Sequence, residues 1–411
     1  MVASPTRFVI VGGGLAGAKA VEALRSNDFD GQIALFAEEE YLPYERPPLS
    51  KEYLAGKKSL IDFTVQNSDW YSDHNVDLRL GSRVSSLNPA AHTVGLPDDT
   101  MVAYDKLLLA TGSASRRPPI PGCDSDRVHF LRSYDDAVAL NSILTQGSSL
   151  AVVGAGWIGL EVAAGARQRD VNVTVVETAK QPLMAALGET VGEVFANLHR
   201  DHGVDLRLQA QVEEITSTEG AATGLRMRDG STVAADAVLV ATGAKPNVEL
   251  AERAGLSMGD GGVLVDASLR TSDPDIYAVG DIAAAEHPLF GCRIRTEHWA
   301  NALKQPAVAV AGMLGRPGEY TELPYFFTDQ YDLGMEYVGH APNFERVVFR
   351  GDVAGREFVA FWLDGEGRVL AGMNVNVWDV LDDVKALIRS QTPVDTGKLT
   401  APQASLADLL G

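Results

Sequence analysis

The sequence predicts an α/β chain in which one parallel-sheet unit occurs twice and a smaller α+β domain follows. Three observations carry that prediction. The run Phe8 to Gly17, FVIVGGGLAG, leads β-favouring apolar residues directly into Gly12-x-Gly14-x-x-Gly17. The same arrangement returns at Leu150, where an apolar run enters Gly154-x-Gly156-x-x-Gly159. From Pro324 onward the pattern changes to short alternating strands separated by turns. One glycine fingerprint is a weak signal, but two complete units of strand, glycine turn, helix, strand and acid are a strong one. The unit is Rossmann-like, and its repetition predicts two dinucleotide sites.

In the first unit, four consecutive apolar residues suit a strand buried on both faces, and Leu15 to Arg25 then shows helical spacing. Gly12 permits the sharp bend, Gly14 lets backbone approach a pyrophosphate, and Gly17 lets helix and strand pack closely. Leu15 and Ala16 open the helix, whose N-terminal N–H groups favour an anion. The second strand, Gln32 to Phe36, ends about 20 residues past the last glycine, where a ribose-binding carboxylate is expected. Glu38 is the favoured acid, with Glu39 and Glu40 beside it. Tyr41 to Lys51 follows, an extended path stiffened by three prolines and carrying Arg46 and Lys51. Short strands are expected at Gly81 to Val84 and within Thr100 to Leu109. The latter runs into Ala110-Thr111-Gly112, and Arg116 to Pro121 has the composition of an interdomain connection.

The second unit repeats the plan. A helix follows Gly159 and runs through Arg169, and the strand Asn172 to Val176 ends in Glu177. That acid accepts hydrogen bonds from a free ribose 2′-OH and repels a 2′-phosphate, so NADH is expected over NADPH. Ala237 to Val240 enters Ala241-Thr242-Gly243, an echo of the first closure. Thr271 to Asp281 reads as turn, apolar strand and then Gly280-Asp281 at its carboxyl end, which makes Asp281 a candidate for a ribityl chain or a helix N-cap. Glu297, His298 and Trp299 precede an apolar helix, Ala300 to Met313. His199 and His202 lie near a helix end before Gly203, and with no partner cluster for a metal they are expected to be solvated.

Composition narrows the function. The 411 residues include 35 basic and 55 acidic side chains, a formal charge of −20 that argues against nucleic acid or an anionic membrane as partner. No apolar run approaches a membrane span. Arg7 to Ala20 imitates a signal peptide, yet cleavage there would delete the phosphate loop, so a cytoplasmic protein is expected. Cys123 and Cys292 are the two cysteines, in no metal or redox spacing, and are expected to be buried or inert.

PYERPPLSK at 43–51, LLLATGS at 107–113, GAGWIGLEVA at 154–163, DIYAVGD at 275–281, EHW at 297–299 and PYFFTDQYD at 324–332 together resemble a known family. The chain looks like the FAD-dependent NADH:ferredoxin reductases of bacterial oxygenase and cytochrome P450 systems, within the glutathione-reductase-type flavoproteins. The resemblance covers nearly the whole chain. It implies FAD at the first site and NADH at the second, with the NADH domain (116–244) inserted in the FAD domain (1–115 and 245–322) and a C-terminal domain at 323–411. It implies that Arg46 contacts FAD, that Lys51 sits by the flavin N5 edge paired with Glu161, and that Asp281 binds the ribityl chain. Glu297, His298 and Trp299 would face the flavin, with Trp299 towards the iron–sulfur partner. Val84, Leu15, Ala16, Ala110, Thr111 and Gly112 complete the FAD candidates, and Ile158 and Gly243 those for NADH. Two departures stand out. Gln181, beside Lys180, replaces a ribose-gripping arginine, and Phe327 replaces a tryptophan.

The implied reaction is hydride transfer from NADH to FAD and single-electron delivery to a [2Fe–2S] or [3Fe–4S] ferredoxin. Tyr41 to Lys51 contains no cysteine, which disfavours a thiol relay. Competing readings are a reductase of a small molecule or rubredoxin, and a redox-responsive interaction protein like apoptosis-inducing factor. Because ferredoxins are commonly acidic, Arg293, Arg295 and Lys304 are expected to form part of a basic docking patch.

Overall fold

The computed structural model describes residues 6–409; the extreme ends of the expected first and last domains, 1–5 and 410–411, lie outside the described residues. The chain divides into two compact units, one of Met1–Glu45, Leu60–Ala114 and Ala244–Pro324, the other of Arg46–Ser59, Ser115–Gly243 and Tyr325–Gly411.

The first unit is built on a five-stranded parallel sheet in the order Ile276–Ala278, Lys106–Leu109, Arg7–Val11, Gln32–Phe36, Val76–Arg79. Arg7–Val11 is paired on both edges, which is why Val9 and Ile10 are fully buried and why the sequence there is uninterruptedly apolar. The helix Leu15–Ser26 covers it with Ala20, Val21 and Leu24, all fully buried. The strand expected at Gly81 to Val84 is absent. Gly81 takes a left-handed turn, φ 59°, and the loop is held by Gly81 N–H to Glu39 O and Ser82 N–H to Ala37 O at the end of the Gln32–Phe36 strand. Strand structure resumes only at Ser86–Asn88.

The second unit holds a matching parallel sheet, Asp205–Arg207, Asn172–Val176, Ser149–Val153, Ala237–Val240, Val128–His129. Its helix after the glycine turn is Trp157–Arg167. The same unit contains an antiparallel sheet ordered Tyr325–Gln330, Leu333–Gly339, Val369–Val375, Glu357–Leu363, Arg346–Asp352. Its first strand contains much of the PYFFTDQYD motif, which alternation alone had not marked as a strand. Phe358, Phe361 and Trp362 are fully buried in this sheet, and the helix Leu381–Ser390 buries Val384, Leu387 and Ile388. Among the described residues no helix is long and apolar enough to cross a membrane, and no group of three or more His, Cys, Asp or Glu is placed to hold a metal ion.

Candidate active site

The two glycine turns have one geometry. A Cβ on Gly12 would lie 2.0 Å from Ala110 O, and one on Gly17 would lie 2.0 Å from Gly12 O. In the second unit a Cβ on Gly154 would meet Ala241 O at 2.5 Å, and one on Gly159 would meet Gly154 O at 2.3 Å. The middle glycines differ from these. Gly14 and Gly156 have extended backbone that any residue adopts, φ −89° and −80°, and a Cβ on either would meet nothing within 4 Å. Each is the N-cap of its helix without a side-chain cap, so the first N–H groups of the helix face a space that a side chain would fill. That cradle fits a pyrophosphate.

Around the first turn, Ala110 N–H donates to Val11 O at 2.8 Å and Gly112 is left-handed at φ 64°. Asn247 closes the loop. Thr111 Oγ1 donates to its carbonyl at 2.7 Å, and its Nδ2 returns a bond to Thr111 O at 2.9 Å. Leu15 and Ala16 are buried at the helix start, Glu38 is exposed, and Val84 is buried behind the Gly81 turn. Glu39 accepts from Tyr44 Oη at 2.6 Å, which leaves Glu38 the more open of those two acids. Asp281 is buried in a 3₁₀ turn, Gly280–Ile282, rather than capping an α-helix. That turn is tied to the helix Trp299–Met313 by Gly280 N–H donating to the buried Gln305 Oε1 at 2.7 Å. His298 is the helix N-cap residue, Glu297 pairs with Arg295 at 2.6 Å, and Trp299 Nε1 donates to Glu45 at 2.9 Å.

In the second unit Glu177 accepts from Ala155 N–H at 2.8 Å and from Ala179 N–H at 2.9 Å, which ties the acid to its own glycine turn. Gly243 has φ 102° and its carbonyl accepts from Arg116 N–H at 2.9 Å. Ile158 is 40% exposed. Arg46 precedes the 3₁₀ turn Pro47–Ser50 and donates to Arg132 O. The turn delivers Lys51 to Glu161 at 2.9 Å, and the two side chains are only 11% and 6% exposed. Glu161 also accepts from Thr328 Oγ1 at 2.6 Å and from Ser50 Oγ. Three donors therefore satisfy a buried carboxylate, the condition under which such a charge is tolerated.

The network continues in a direction no sequence signal indicated. Gln330 Nε2 donates to Thr328 Oγ1 at 3.2 Å, and Gln330 Oε1 lies 2.8 Å from His199 Nε2. An amide oxygen accepts, so His199 Nε2 carries the proton and Nδ1 accepts from Tyr331 Oη at 3.3 Å. His199 is fully buried, and desolvation pushes its pKa down to about 4. The solvated reading of His199 is corrected, and His202, half-buried, stacks on Tyr331 with ring centroids 3.7 Å apart. Both histidines sit on the amphipathic helix Glu189–Asp201 or at its C-cap, and only tertiary packing tells the buried face from the wet one.

Two other expectations change. Arg293 pairs with Glu286, Arg295 with Glu297 and Lys304 with Glu322, so each cation of the expected basic patch is matched by an acid. Cys123 is buried, but Cys292 is exposed. Its thiol is nonetheless pushed up, by desolvation first and Asp260 second, which disfavours the thiolate.

Residues 6–306 match the pyridine nucleotide-disulphide oxidoreductase family, and residues 325–410 match the reductase C-terminal family. The chain belongs to the pyridine nucleotide-disulphide oxidoreductases. Within that family it is 40% identical over 403 residues to the anthranilate 1,2-dioxygenase system ferredoxin–NAD(+) reductase component of Burkholderia cepacia, covering 98% of this chain and 99% of the relative. It is 34% identical to putidaredoxin reductase of Pseudomonas putida, over 98% and 96% of the two chains. Among solved structures, the covalent putidaredoxin reductase–putidaredoxin complex matches with a TM-score of 0.95 at 34% identity over 98% of each chain. The ferredoxin reductase for the CYP199A2 system of Rhodopseudomonas palustris matches with a TM-score of 0.93 at 31% identity, over 98% of this chain and 100% of that one.

The two departures from the resemblance now have surroundings. Phe327 places its ring 4.8 Å from Lys51 Nζ, a cation–π contact on the same ammonium that Glu161 holds. Gln181 packs against the backbone of the helix at Gly192, with its Oε1 buried and unbonded, while Lys180 makes a loose 3.9 Å pair with Glu189.

Proposed function

We propose that the chain is a flavoprotein reductase that takes hydride from NADH on FAD and passes single electrons to a [2Fe–2S] or [3Fe–4S] ferredoxin serving an oxygenase or cytochrome P450. The observation that carries this reading is the buried Lys51–Glu161 pair, a charged centre in a segment without cysteine. A family named for disulphide chemistry here has no thiol in that segment. Bound FAD supplies the conversion of a two-electron donor into one-electron deliveries.

The chain's own residues divide the work. Gly12, Gly14 and Gly17 with the helix start at Leu15 and Ala16 hold the FAD pyrophosphate; Glu38 takes the adenosine ribose and Asp281 the ribityl chain. Ala110, Thr111, Gly112, Val84 and Arg46 line the same cofactor, and Glu297, His298 and Trp299 present the start of an apolar helix to the ring. Gly154, Gly156, Ile158, Gly159 and Gly243 receive NADH, and Glu177 selects against a 2′-phosphate by like charge. Lys51 supplies positive charge to the reduced ring, Glu161 holds the ammonium, and both act as a unit. The FAD domain is assigned to 1–115 and 245–322, the NADH domain to 116–244, and the C-terminal domain to 323–411. Free thiols and the absence of a redox-spaced pair support a reducing, cytoplasmic setting.

Turnover with NADH against NADPH, using [2Fe–2S] and [3Fe–4S] ferredoxins and cytochrome c as reporter, tests the reading. Preference for NADH and ferredoxin-dependent reporter reduction are expected. Slow flavin reduction with a long-lived charge-transfer complex, or no ferredoxin dependence, would overturn it.

A further inference from the structure

The second unit contains a cleft of about 180 Å³ whose lining grades from buried to exposed. At one extreme are Glu161 and Lys51, almost wholly buried; at the other are Lys57, Gln168 and Asp329, all exposed. A space of that size with charged side chains on its wall accommodates several waters. It joins solvent to the Lys51–Glu161 ion pair, whose carboxylate is otherwise held by Ser50 and Thr328.

The chemistry of a hydride-fed ferredoxin reductase leaves something that must travel this distance. NADH and two oxidised ferredoxins give NAD⁺, two reduced ferredoxins and one proton. The hydride brings two electrons and a proton, each iron–sulfur centre takes one electron, and the proton remains to be removed once per turnover. The hydrogen-bonded chain from Glu161 through Thr328 and Gln330 to His199 is a poor exit, because it passes through a carboxamide that has no proton to spare and no site to hold another. Water in the cleft has no such block.

We propose that this cleft is the exit for that proton, with Lys51 at its inner end and the Asp329 carboxylate as acceptor on its wall. The inference rests on the reductase reading. Lys51 Nζ gives one N–H proton to cleft water, a carboxylate oxygen of Asp329 takes it and releases it to bulk solvent, and Nζ takes up the proton left by the hydride, so the ammonium is restored each cycle. Glu161 is a positioning residue that keeps Nζ at 2.9 Å. The groups that bear on Asp329 are named by its surroundings: desolvation pushes its carboxyl up, Lys51 pulls it down, and Glu161, Glu52 and Glu336 push it up further. Tyr331 and Lys57 complete the ionisable lining. The net direction is upward, which favours proton uptake relative to an ordinary surface aspartate.

The experiment uses the flavin-loaded chain with ferredoxin in weak buffer. Flavin reduction, ferredoxin reduction and proton release to a pH-indicator dye are followed together by stopped flow, in the parent, Asp329→Asn, Asp329→Glu and Gly165→Leu. Gly165 lines the cleft on a helix, and a Cβ there meets nothing within 4 Å, so a leucine side chain starts into the cleft without a clash at Cβ. Proton release is expected to lag ferredoxin reduction by about tenfold in Asp329→Asn and Gly165→Leu, with Asp329→Glu close to the parent and the Asn lag relieved by millimolar imidazole. A ¹³C titration of the Asp329 carboxyl, without turnover, is expected to show the raised value. Proton release in step with electron delivery in both Asp329→Asn and Gly165→Leu overturns the proposal. Failure of NADH to reduce the parent overturns instead the reductase reading on which it rests.

Discussion

The two glycine-turn units share the order of four parallel strands and a turn geometry but treat equivalent positions oppositely. The residue before the third glycine is Ala16 in the first unit, 7% exposed, and Ile158 in the second, 40% exposed. Two residues after that glycine stand Lys19, in a surface pair with Glu22 at 2.7 Å, and Glu161, buried and bound by Lys51, Ser50 and Thr328. The first unit is closed by side chains that lock its turns, Asn247 and Gln305 among them. The second keeps its helix start open and places a charged centre one turn further along. The two units thus differ in side chains on a shared backbone scaffold, which is where a difference in ligand would be written.

The comparison breaks most readily at the middle glycines. Gly14→Val should leave the fold intact and lower flavin content more than tenfold, read as absorbance at 450 nm per chain, whereas Gly156→Val should keep its flavin and raise the KM for NADH. Loss of flavin in Gly156→Val would reverse the assignment of the two sites.

Next in size is the charge at the shared helix position. Glu161→Ala strands a buried ammonium and should cost about 3–5 kcal/mol in urea unfolding. Lys19→Ala removes an i,i+3 surface pair and should cost about 0.3 kcal/mol. Equal costs would mean that the buried pair contributes no more than the wet one.

His199 gives the second unit a pH dependence absent from its sequence. A histidine whose folded pKa is about 4, against 6.5 unfolded, binds a proton more readily when unfolded. Its contribution is therefore complete above pH 6.5 and is lost as pH falls towards 4, by about 3 kcal/mol. The Tm of the parent should fall over that window, and in His199→Gln that part of the fall should vanish despite a lower Tm at pH 7.5.

The smallest effect concerns Glu177. Glu177→Gln should narrow the preference for NADH over NADPH by about tenfold in kcat/KM, worth about 1.4 kcal/mol. Flavin content is the control, since Glu177 belongs to the second turn alone.

Much of this was legible from residue order. The strands Gln32–Phe36, Asn172–Val176 and Ala237–Val240 run over the residues that apolar patterning indicates, because a strand buried on both faces leaves no alternation to misread. Patterning predicts a strand at Gly81 to Val84, whereas the bonds of this turn go to backbone 42 and 45 residues earlier in the chain, at Glu39 and Ala37. The tether from Gln305 to Gly280 was equally invisible, a polar residue on an apolar helix whose partner lies in another element.

Residue order settles the repeated glycine turns, the acids that follow them and the missing thiol, since each depends on residue type at short spacing, where backbone geometry leaves few options. Tertiary structure alone decided that Glu161 gathers Lys51, Ser50 and Thr328, that His199 is buried and neutral beside Gln330, that Arg293, Arg295 and Lys304 are each matched by an acid, and that a cleft reaches the ion pair. These depend on which side chains meet across more than a hundred residues or around a turn. Burial and partner together set the energy of a charge, and neither is a property of the residue itself.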